Sequence, residues 1–165
     1  MKISAKEEHG LRILLRIARN KDKEGLSINQ LSEEEGLSVS YVAKITRILR
    51  MQGFIQSTPG RKGGYVLHKK PADIPMMELL SALDGRLFDD AFCANHSGSQ
   101  RMCTNSVDCS TRSLWRIIQM AVDKVLENVT LQHLMGDEYN SDNILQEILD
   151  RQVIGQQLMK KMERG

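Results

Sequence analysis

The sequence lacks the features that would place it in a membrane, in a secretory pathway or among the common enzyme classes. No apolar run approaches the roughly 18 residues of a membrane-spanning helix, and residues 1–8 contain no apolar stretch typical of a signal peptide. There is no HExxH motif, no phosphate-binding glycine loop after a strand and no nucleophile–base pattern. We therefore expect a cytoplasmic protein that does not contact membranes and is not an enzyme.

The charge is distributed unevenly along the chain. The 165 residues are 41% hydrophobic and 27% charged, which excludes wholesale disorder and fits one compact domain, alone or with an oligomerisation element. Residues 1–70 carry 14 Lys and Arg against 7 Asp and Glu, whereas residues 71–165 carry 9 against 14. A basic half favours a polyanionic partner such as DNA, with an ordinary solvated surface as the alternative.

The basic half has the pattern of a helix-turn-helix. Apolar residues at helical spacing predict an amphipathic helix over residues 4–20. Ser27 can cap a short second helix, Gly36 supplies a tight turn, and Ser38 can cap a third helix to about residue 52. In a helix-turn-helix the second helix of the motif enters the major groove of DNA.

The third helix has an apolar stripe and an opposite polar face. The stripe consists of Val42, Ile45 and Leu49. Hydroxyl and cationic side chains lie off this stripe and are candidate DNA contacts. They are Ser40, Tyr41, Lys44 and Arg47.

A glycine-rich hairpin is predicted after these helices. Two β-prone runs, residues 53–58 and 64–68, are separated by a turn that contains Arg61 and Lys62. Beside a helix-turn-helix such a hairpin is typical of a wing, whose basic tip reaches phosphates or the minor groove. The predicted fold is therefore mainly α with a small β-hairpin, a winged helix-turn-helix followed by a long helix.

The acidic half is predicted to contain a short helix after Pro71 that ends near Gly85 and a long helix from Thr111 to about Leu134. Between them lies a loop over roughly residues 89–110, which we call the cysteine loop. The apolar face of the long helix needs a covering surface, either the winged helix or a second chain. We divide the chain into residues 1–70 (DNA-binding), 71–110 (short helix and cysteine loop), 111–135 (long dimerisation helix) and 136–165 (a helical C-terminal tail of unassigned role).

All three cysteines, Cys93, Cys103 and Cys109, lie within 17 residues of one another. An odd number of clustered cysteines in a cytoplasmic protein argues against a disulfide framework and for metal binding or redox chemistry. Three thiolates favour an iron–sulfur cluster or zinc, although the Cys-x2-Cys spacing of a zinc ribbon is missing and no fourth ligand is obvious. A reversible thiol–disulfide switch is the other alternative.

Several segments resemble the Rrf2 family of bacterial transcription regulators. They are Leu37–Val42, the wing Gly60–Leu67, and the three cysteines ahead of Leu114–Trp115. The resemblance implies a homodimer with an N-terminal winged helix, a crossed dimerisation helix, and a [4Fe-4S] or [2Fe-2S] cluster that controls binding to operator DNA. It implies that the three cysteines are cluster ligands and that Arg61 lies in the wing. It also implies that Ser38, together with the polar face named above, forms the recognition surface.

The chain departs from the branch of the family that regulates iron–sulfur biogenesis. The first cysteine spacing is longer, and Arg112 stands where that branch has a ligating histidine. Resemblance to nitric-oxide-sensing members implies Glu8 of the partner subunit as the fourth ligand, with His96 and His9 of this sequence as competitors. We therefore expect a sensor of nitric oxide, redox or iron status with a [4Fe-4S] cluster rather than a [2Fe-2S] cluster.

Overall fold

The computed structural model describes residues 3–59, 63–83, 85–86, 88, 92–99 and 103–162, with side chains described as far as residue 152. The chain is mainly helical with one two-stranded antiparallel sheet, which confirms the predicted fold class. Within these residues no helix is both long and apolar enough to cross a membrane. The elements in order are α1 (Ala5–Arg19), α2 (Ile28–Glu35), α3 (Val39–Met51), β1 (Ile55–Ser57), β2 (Tyr65–Leu67), α4 (Met76–Ala82), α5 (Phe92–Asn95), α6 (Ser110–Leu126) and α7 (Glu138–Met162).

The first three helices begin at the serines that the sequence indicates as caps. Ser4 accepts a hydrogen bond from the backbone N–H of Glu7, whose side chain accepts one in return from the Ser4 N–H. Ser27 forms the same reciprocal pair of hydrogen bonds, a capping box, at the start of α2, and Ser38 caps α3. A capping box satisfies N–H groups that the start of a helix leaves without partners. Gly36 ends α2 with φ +65°, a left-handed conformation that favours glycine.

The core lies among α1, α2, α3 and the hairpin. The predicted apolar stripe of α3, Val42, Ile45 and Leu49, is fully buried. It packs against residues of α1, α2 and β1 within one continuous apolar cluster. Those residues are Ile13, Leu14, Ile17, Leu31 and Ile55.

The hairpin has the predicted position, and Ile55 pairs with Leu67 and Ser57 with Tyr65. Leu26 adds a bridge to its open edge through two backbone hydrogen bonds with Tyr65. Arg61 and Lys62, the predicted basic tip, lie outside the described residues.

The segment after the hairpin is not the single helix that the sequence predicts. A 3-10 turn covers Pro71–Asp73, and α4 begins only at Met76. Between them Ile74 is extended, because a residue that precedes a proline is restricted to extended backbone, here by Pro75. The carbonyl of Ile74 then accepts a hydrogen bond from Leu131 N–H at 2.9 Å.

The predicted long helix from Thr111 to about Leu134 is wrong at its C-terminal end, since α6 stops at Leu126. Val129 continues the apolar periodicity of the helix, but it is buried with Leu131 against the N-terminal core instead. Met76 N–H donates to the carbonyl of Val129 at 2.8 Å, so this segment pairs with the start of α4. A 3-10 turn over Leu131–Leu134 follows, and this burial outweighs the tendency of the helix to continue.

The tail forms the predicted further helix, α7. It is held to the body at two points outside its apolar contacts. The guanidinium of Arg19 donates to the carbonyls of Leu134, Met135 and Gly136 at 3.0, 3.3 and 2.8 Å. The side-chain amide of Gln152 donates to the carbonyl of Lys124 at 2.8 Å. These contacts tie the segment that leads into α7 to α1, and α7 itself to the end of α6.

Candidate functional site

The polar face of α3 is open to solvent. The side chains of Ser40, Lys44 and Arg47 are exposed and lie opposite the buried stripe. Ser38 is exposed as well, but its hydroxyl accepts the capping hydrogen bond from Tyr41 N–H at 3.3 Å. The face thus offers hydroxyl groups near the helix start and two cations further along, a set of donors suited to a phosphate backbone and to base edges.

Tyr41 lies at the edge of this face and is only half exposed. Its ring meets that of His9 edge to face, with 5.6 Å between the centroids, and its hydroxyl is 3.4 Å from His9 Nδ1. The sequence places Tyr41 wholly on the polar face, whereas in the structure it also joins α3 to α1.

A buried carboxylate fixes the helices that support α3. Glu35 is the last residue of α2, and its side chain is 2% exposed. It accepts hydrogen bonds from Arg12 Nε at 2.8 Å and from Arg16 Nε at 2.9 Å, both on α1. Because a buried charge requires partners, the two arginines hold α2 at one position on α1.

The three cysteines are free thiols, and each is half-buried. Cys93 lies on the short helix α5, Cys103 lies in the loop, and Cys109 immediately precedes α6. Within the described residues no three His, Cys, Asp or Glu side chains converge into a metal site. The three predicted ligands therefore lie in one segment of the chain, but in the described residues they do not converge on one point.

Cys109 differs chemically from the other two cysteines. Its sulfur lies 3.0 Å from the hydroxyl of Thr111, and that hydrogen bond is the main cause that lowers the pKa of the thiol below its ordinary value. The backbone N–H and the positive charge of Arg112 act in the same direction, and burial opposes them. A thiolate is the nucleophilic and metal-binding form of cysteine. Sequence reasoning missed Thr111, although its position two residues after a cysteine at a helix start is a readable signal.

Arg112 holds the cysteine loop against α6. Its guanidinium donates to the carbonyls of Asn105 and Ser106 at 3.2 and 2.6 Å. Its Nε is buried with no hydrogen-bond partner among the described residues. In this structure Arg112 thus supports the loop between Cys103 and Cys109.

An aromatic cluster is centred on Phe92, the residue before Cys93. Phe92 stacks on His96 with centroids 4.2 Å apart and approaches Trp115 of α6 at 6.4 Å. The Nδ1 of His96 lies 2.8 Å from the carbonyl of Phe92. A carbonyl only accepts, so Nδ1 carries the proton and Nε2 keeps the lone pair that a metal ligand uses. His96 is exposed, so this nitrogen is accessible from solvent.

Glu8, the other candidate fourth ligand, is exposed in the first turn of α1. In this chain it does not join a group of three metal-binding side chains within the described residues. Its neighbour Glu7 packs next to Gly85, where an added Cβ would lie 2.6 Å from Glu7 Oε1. The start of α1 is therefore adjacent to the segment that leads into the cysteine loop.

Contacts connect the segment that precedes the cysteine loop to the helix-turn-helix. Upstream of the loop, Arg86 pairs with Asp123 of α6 at 2.9 Å, and Phe88 N–H donates to Gln119 Oε1 at 3.1 Å. Helix α4 contacts both α6 and α1. At the second contact Gly10 of α1 lies against Leu83, and a Cβ on Gly10 would come within 2.6 Å of the leucine side chain.

Comparison with known proteins finds transcriptional regulators of one kind as relatives of this chain. The model of the Rrf2 family, described as an iron-dependent transcriptional regulator, matches residues 3–137. The Rrf2 protein of Nitratidesulfovibrio vulgaris is 34% identical over 137 residues, which cover 83% of this chain and 89% of the relative. The transcriptional regulator IscR of Klebsiella pneumoniae is 30% identical over 165 residues, which cover 100% of this chain and 92% of the relative.

Solved structures of transcriptional regulators also match this chain. IscR of T. potens matches with a TM-score of 0.61 and 26% identity, over 80% of this chain and 84% of that one. CymR, the global cysteine regulator of B. subtilis, matches with a TM-score of 0.60 and 30% identity, over 82% and 96%. An oxidised form of Staphylococcus aureus CymR matches with a TM-score of 0.61 and 29% identity over the same shares.

Proposed function

The chain belongs to the Rrf2 family of DNA-binding transcription regulators, and from this premise we propose that an iron–sulfur cluster on its cysteine loop controls its affinity for operator DNA. The regulator acts as a homodimer. Helix α3 reads the major groove with Ser38, Ser40, Tyr41, Lys44 and Arg47, and the wing contacts DNA with Arg61 and Lys62. The observation that carries the proposal is a loop of three free cysteines, one of them with a lowered thiol pKa, beside α6.

The donor set fits an iron–sulfur cluster in its chemistry. Cys93, Cys103 and Cys109 supply three soft thiolates, and either Glu8 of a second chain or His96 supplies a weaker fourth ligand. A [4Fe-4S] cluster is favoured over [2Fe-2S]. When bound, the group supplies a centre whose state responds to nitric oxide, oxygen or iron supply. None of the buried apolar residues lies among the described residues of the loop, 92–99 and 103–110, so ligation would contribute the free energy that orders it.

The contacts of this chain offer a route from the loop to the DNA-binding helices. A change in the loop acts on Arg86 and Phe88, which are hydrogen-bonded to α6. Helix α4 lies between α6 and α1, and α1 holds α2 through Glu35 and α3 through Tyr41. A shift of α6 relative to α1 thus changes the orientation of α3. Two recognition helices in a dimer bind DNA only at a matching separation, so such a shift changes affinity.

Dimerisation is proposed from the exposed apolar face of α6. Leu114, Ile117 and Met120 are 52, 64 and 63% exposed and share the side of the helix that faces away from the body. A contiguous apolar face of this kind marks a protein interface. A second copy of the same helix can cover it symmetrically.

The test combines spectroscopy with DNA binding. Protein purified without oxygen is expected to be brown, with broad absorbance near 400 nm and about four irons and four sulfides per chain. Fluorescence anisotropy with a promoter fragment bound by the protein then compares cluster-loaded and cluster-free samples. The proposal predicts different affinities for the two states. Replacing each cysteine with serine should abolish the colour, and Ser97→Ala in the same loop should leave it unchanged.

A colourless protein that cannot be reconstituted with iron and sulfide would contradict the cluster. It would favour a thiol–disulfide switch or a structural zinc site on the same regulator. The switch has specific support in the similarity to CymR, a cysteine regulator also known in an oxidised form, and in the lowered pKa of the Cys109 thiol. Mass spectrometry of the denatured protein after mild oxidation distinguishes the two. A disulfide lowers the mass of the chain by two hydrogens, whereas zinc dissociates on denaturation and leaves the thiols protonated and free.

A further inference from the structure

Val39 is an exposed apolar residue at the start of the recognition helix. It is the first residue of α3, directly after the capping Ser38. Its side chain is 50% exposed, whereas the apolar stripe of the same helix is fully buried. Val39 is also absent from the core cluster and from the apolar residues packed against it. Packing within the described chain therefore does not explain an apolar side chain here.

The surroundings of Val39 point to DNA rather than to a protein partner. Exposed Ser38 and Ser40 flank it, and the exposed cations Lys44 and Arg47 follow on the same helix. The start of a helix also carries a partial positive charge. A surface of this charge attracts a polyanion. By contrast, the exposed apolar residues of α6 form a continuous face, as a protein interface requires.

The major groove offers a specific apolar partner for such a side chain. Among the base edges in that groove, thymine alone presents a methyl group, and apolar side chains contact it. The N-terminal residues of a recognition helix are the ones that reach base edges. We propose that Val39 contacts the C5-methyl group of a thymine in the operator and thereby determines specificity at that base pair. This inference rests on the proposed docking of α3 in the major groove, and it does not depend on the cluster.

The experiment isolates the methyl group. The full-length protein selects duplexes from a pool of about 30 base pairs with a randomised centre. In the selected duplex each thymine is replaced in turn by deoxyuridine, which lacks only the C5-methyl. Dissociation constants are measured by fluorescence anisotropy at one fixed salt concentration for the wild type, Val39→Ala and Met51→Ala.

Met51 provides the matched control. It is the last residue of α3, 71% exposed and apolar like Val39. It lies about 18 Å along the helix axis from Val39, at 1.5 Å per residue. Both positions are exposed, so neither substitution should disturb the core, and a thermal melt verifies this.

For the wild type, deoxyuridine at one thymine position should weaken binding about fourfold per methyl group, as expected when one methyl-sized apolar group loses its contact. Val39→Ala should bind the thymine duplex more weakly and lose the difference between thymine and deoxyuridine at that position only. Met51→Ala should keep the difference.

Two results would overturn the inference. If Val39→Ala keeps every thymine-to-deoxyuridine ratio of the wild type, Val39 does not read a methyl group, although DNA binding by the regulator stands. If no duplex is selected by protein in any metal or redox state, the DNA-binding proposal fails together with the inference.

Discussion

The carboxylate of Glu35 lies 2.8 Å from the guanidinium Nε of Arg12, and this ion pair fixes α2 against α1. The Glu35 side chain is 2% exposed, whereas the adjacent Glu34 is 41% exposed and reaches Arg16 at 3.3 Å. Two neighbouring glutamates thus make the same kind of ion pair in different surroundings. An exposed pair contributes little to stability because water and salt screen it, while removal of one partner from a buried pair leaves the structure with unmatched polar groups.

We predict that Glu35→Ala lowers the free energy of unfolding by about 2 kcal/mol. This loss is smaller than the loss on breaking a fully buried ion pair, because both arginines remain half exposed. Glu34→Ala, the control, should cost no more than about 0.5 kcal/mol. Urea denaturation followed by circular dichroism measures both values. Equal losses for the two variants would show that burial of Glu35 does not matter.

Arg19 leads to a prediction about local stability. Its guanidinium holds the carbonyls of Leu134, Met135 and Gly136, which join the 3-10 turn to α7. Arg19→Ala should speed amide hydrogen exchange in residues 131–145, with a loss of about 1 kcal/mol in overall stability. Lys21→Ala, an exposed change just after α1, serves as the control. Unchanged exchange in residues 131–145 of the Arg19 variant would contradict an anchoring role.

The parts of the fold that depend on local chemistry are predictable from sequence. Ser4, Ser27 and Ser38 begin their helices because a cap satisfies backbone groups within three residues of itself. The end of α6 depends instead on contacts distant in sequence. Nothing near Val129 indicates that its carbonyl will accept from Met76, so periodicity alone extends the helix too far.

The candidate site divides in the same way. The residue types of the cysteine loop predict soft-metal or thiol chemistry directly. The hydrogen bond from Thr111 to Cys109 is local, and its signal is a hydroxyl two residues after a cysteine at a helix start. The contact between Tyr41 and His9 depends instead on how α3 packs on α1, and residue type does not reveal it. The choice between Glu8 and His96 as fourth ligand likewise depends on which chain meets the loop.

The reactivity of Cys109 is predicted to depend on Thr111. A lowered pKa means that this thiol ionises at a lower pH than an ordinary cysteine, so more thiolate is present at neutral pH. In reduced, metal-free protein at pH 7, Cys109 should react with iodoacetamide faster than Cys93 or Cys103. Thr111→Val should slow its reaction severalfold at pH 7 and leave it nearly unchanged at about pH 10, where ordinary thiols are also ionised.

Peptide mass spectrometry after timed quenching gives the three rates in one experiment. Thr104→Val, next to Cys103, is the control and should leave the Cys109 rate unchanged. A Cys109 rate that does not respond to Thr111→Val would remove the hydroxyl as the cause.

The exposed face of α6 gives a test of assembly. Ile117→Glu introduces a charge at the centre of this face, and burial of an unpaired charge in an interface is costly. We expect this variant to sediment as a monomer at concentrations where the wild type is a dimer, and to bind operator DNA more weakly. Tyr139→Glu makes a similar change at a 76% exposed residue of α7 and should remain dimeric. Dimers of both variants would exclude this face of α6 as the interface.

The fourth ligand of the proposed cluster can be identified by comparing Glu8→Ala with His96→Ala. His96 has accessible Nε2 and a proton on Nδ1, which suits a ligand from the same loop. If Glu8 acts from a partner subunit, its loss should affect the cluster of dimers alone. A carboxylate is a poor match for a soft iron–sulfide centre, so a cluster that it completes should exchange that ligand readily.

If Glu8 is the ligand, Glu8→Ala should change the visible spectrum and speed the loss of the cluster in air, and His96→Ala should not. The reverse pattern would identify His96. Glu33→Ala, an exposed change in α2, controls for the loss of a negative charge.

Mixed dimers distinguish a Glu8 ligand supplied by the partner subunit, in trans, from one supplied by the same chain, in cis. When a Glu8→Ala chain pairs with a chain whose three cysteines are serine, a ligand in trans predicts a normal cluster on the Glu8→Ala chain, because its partner still supplies Glu8. A ligand in cis predicts the defect of the Glu8→Ala homodimer.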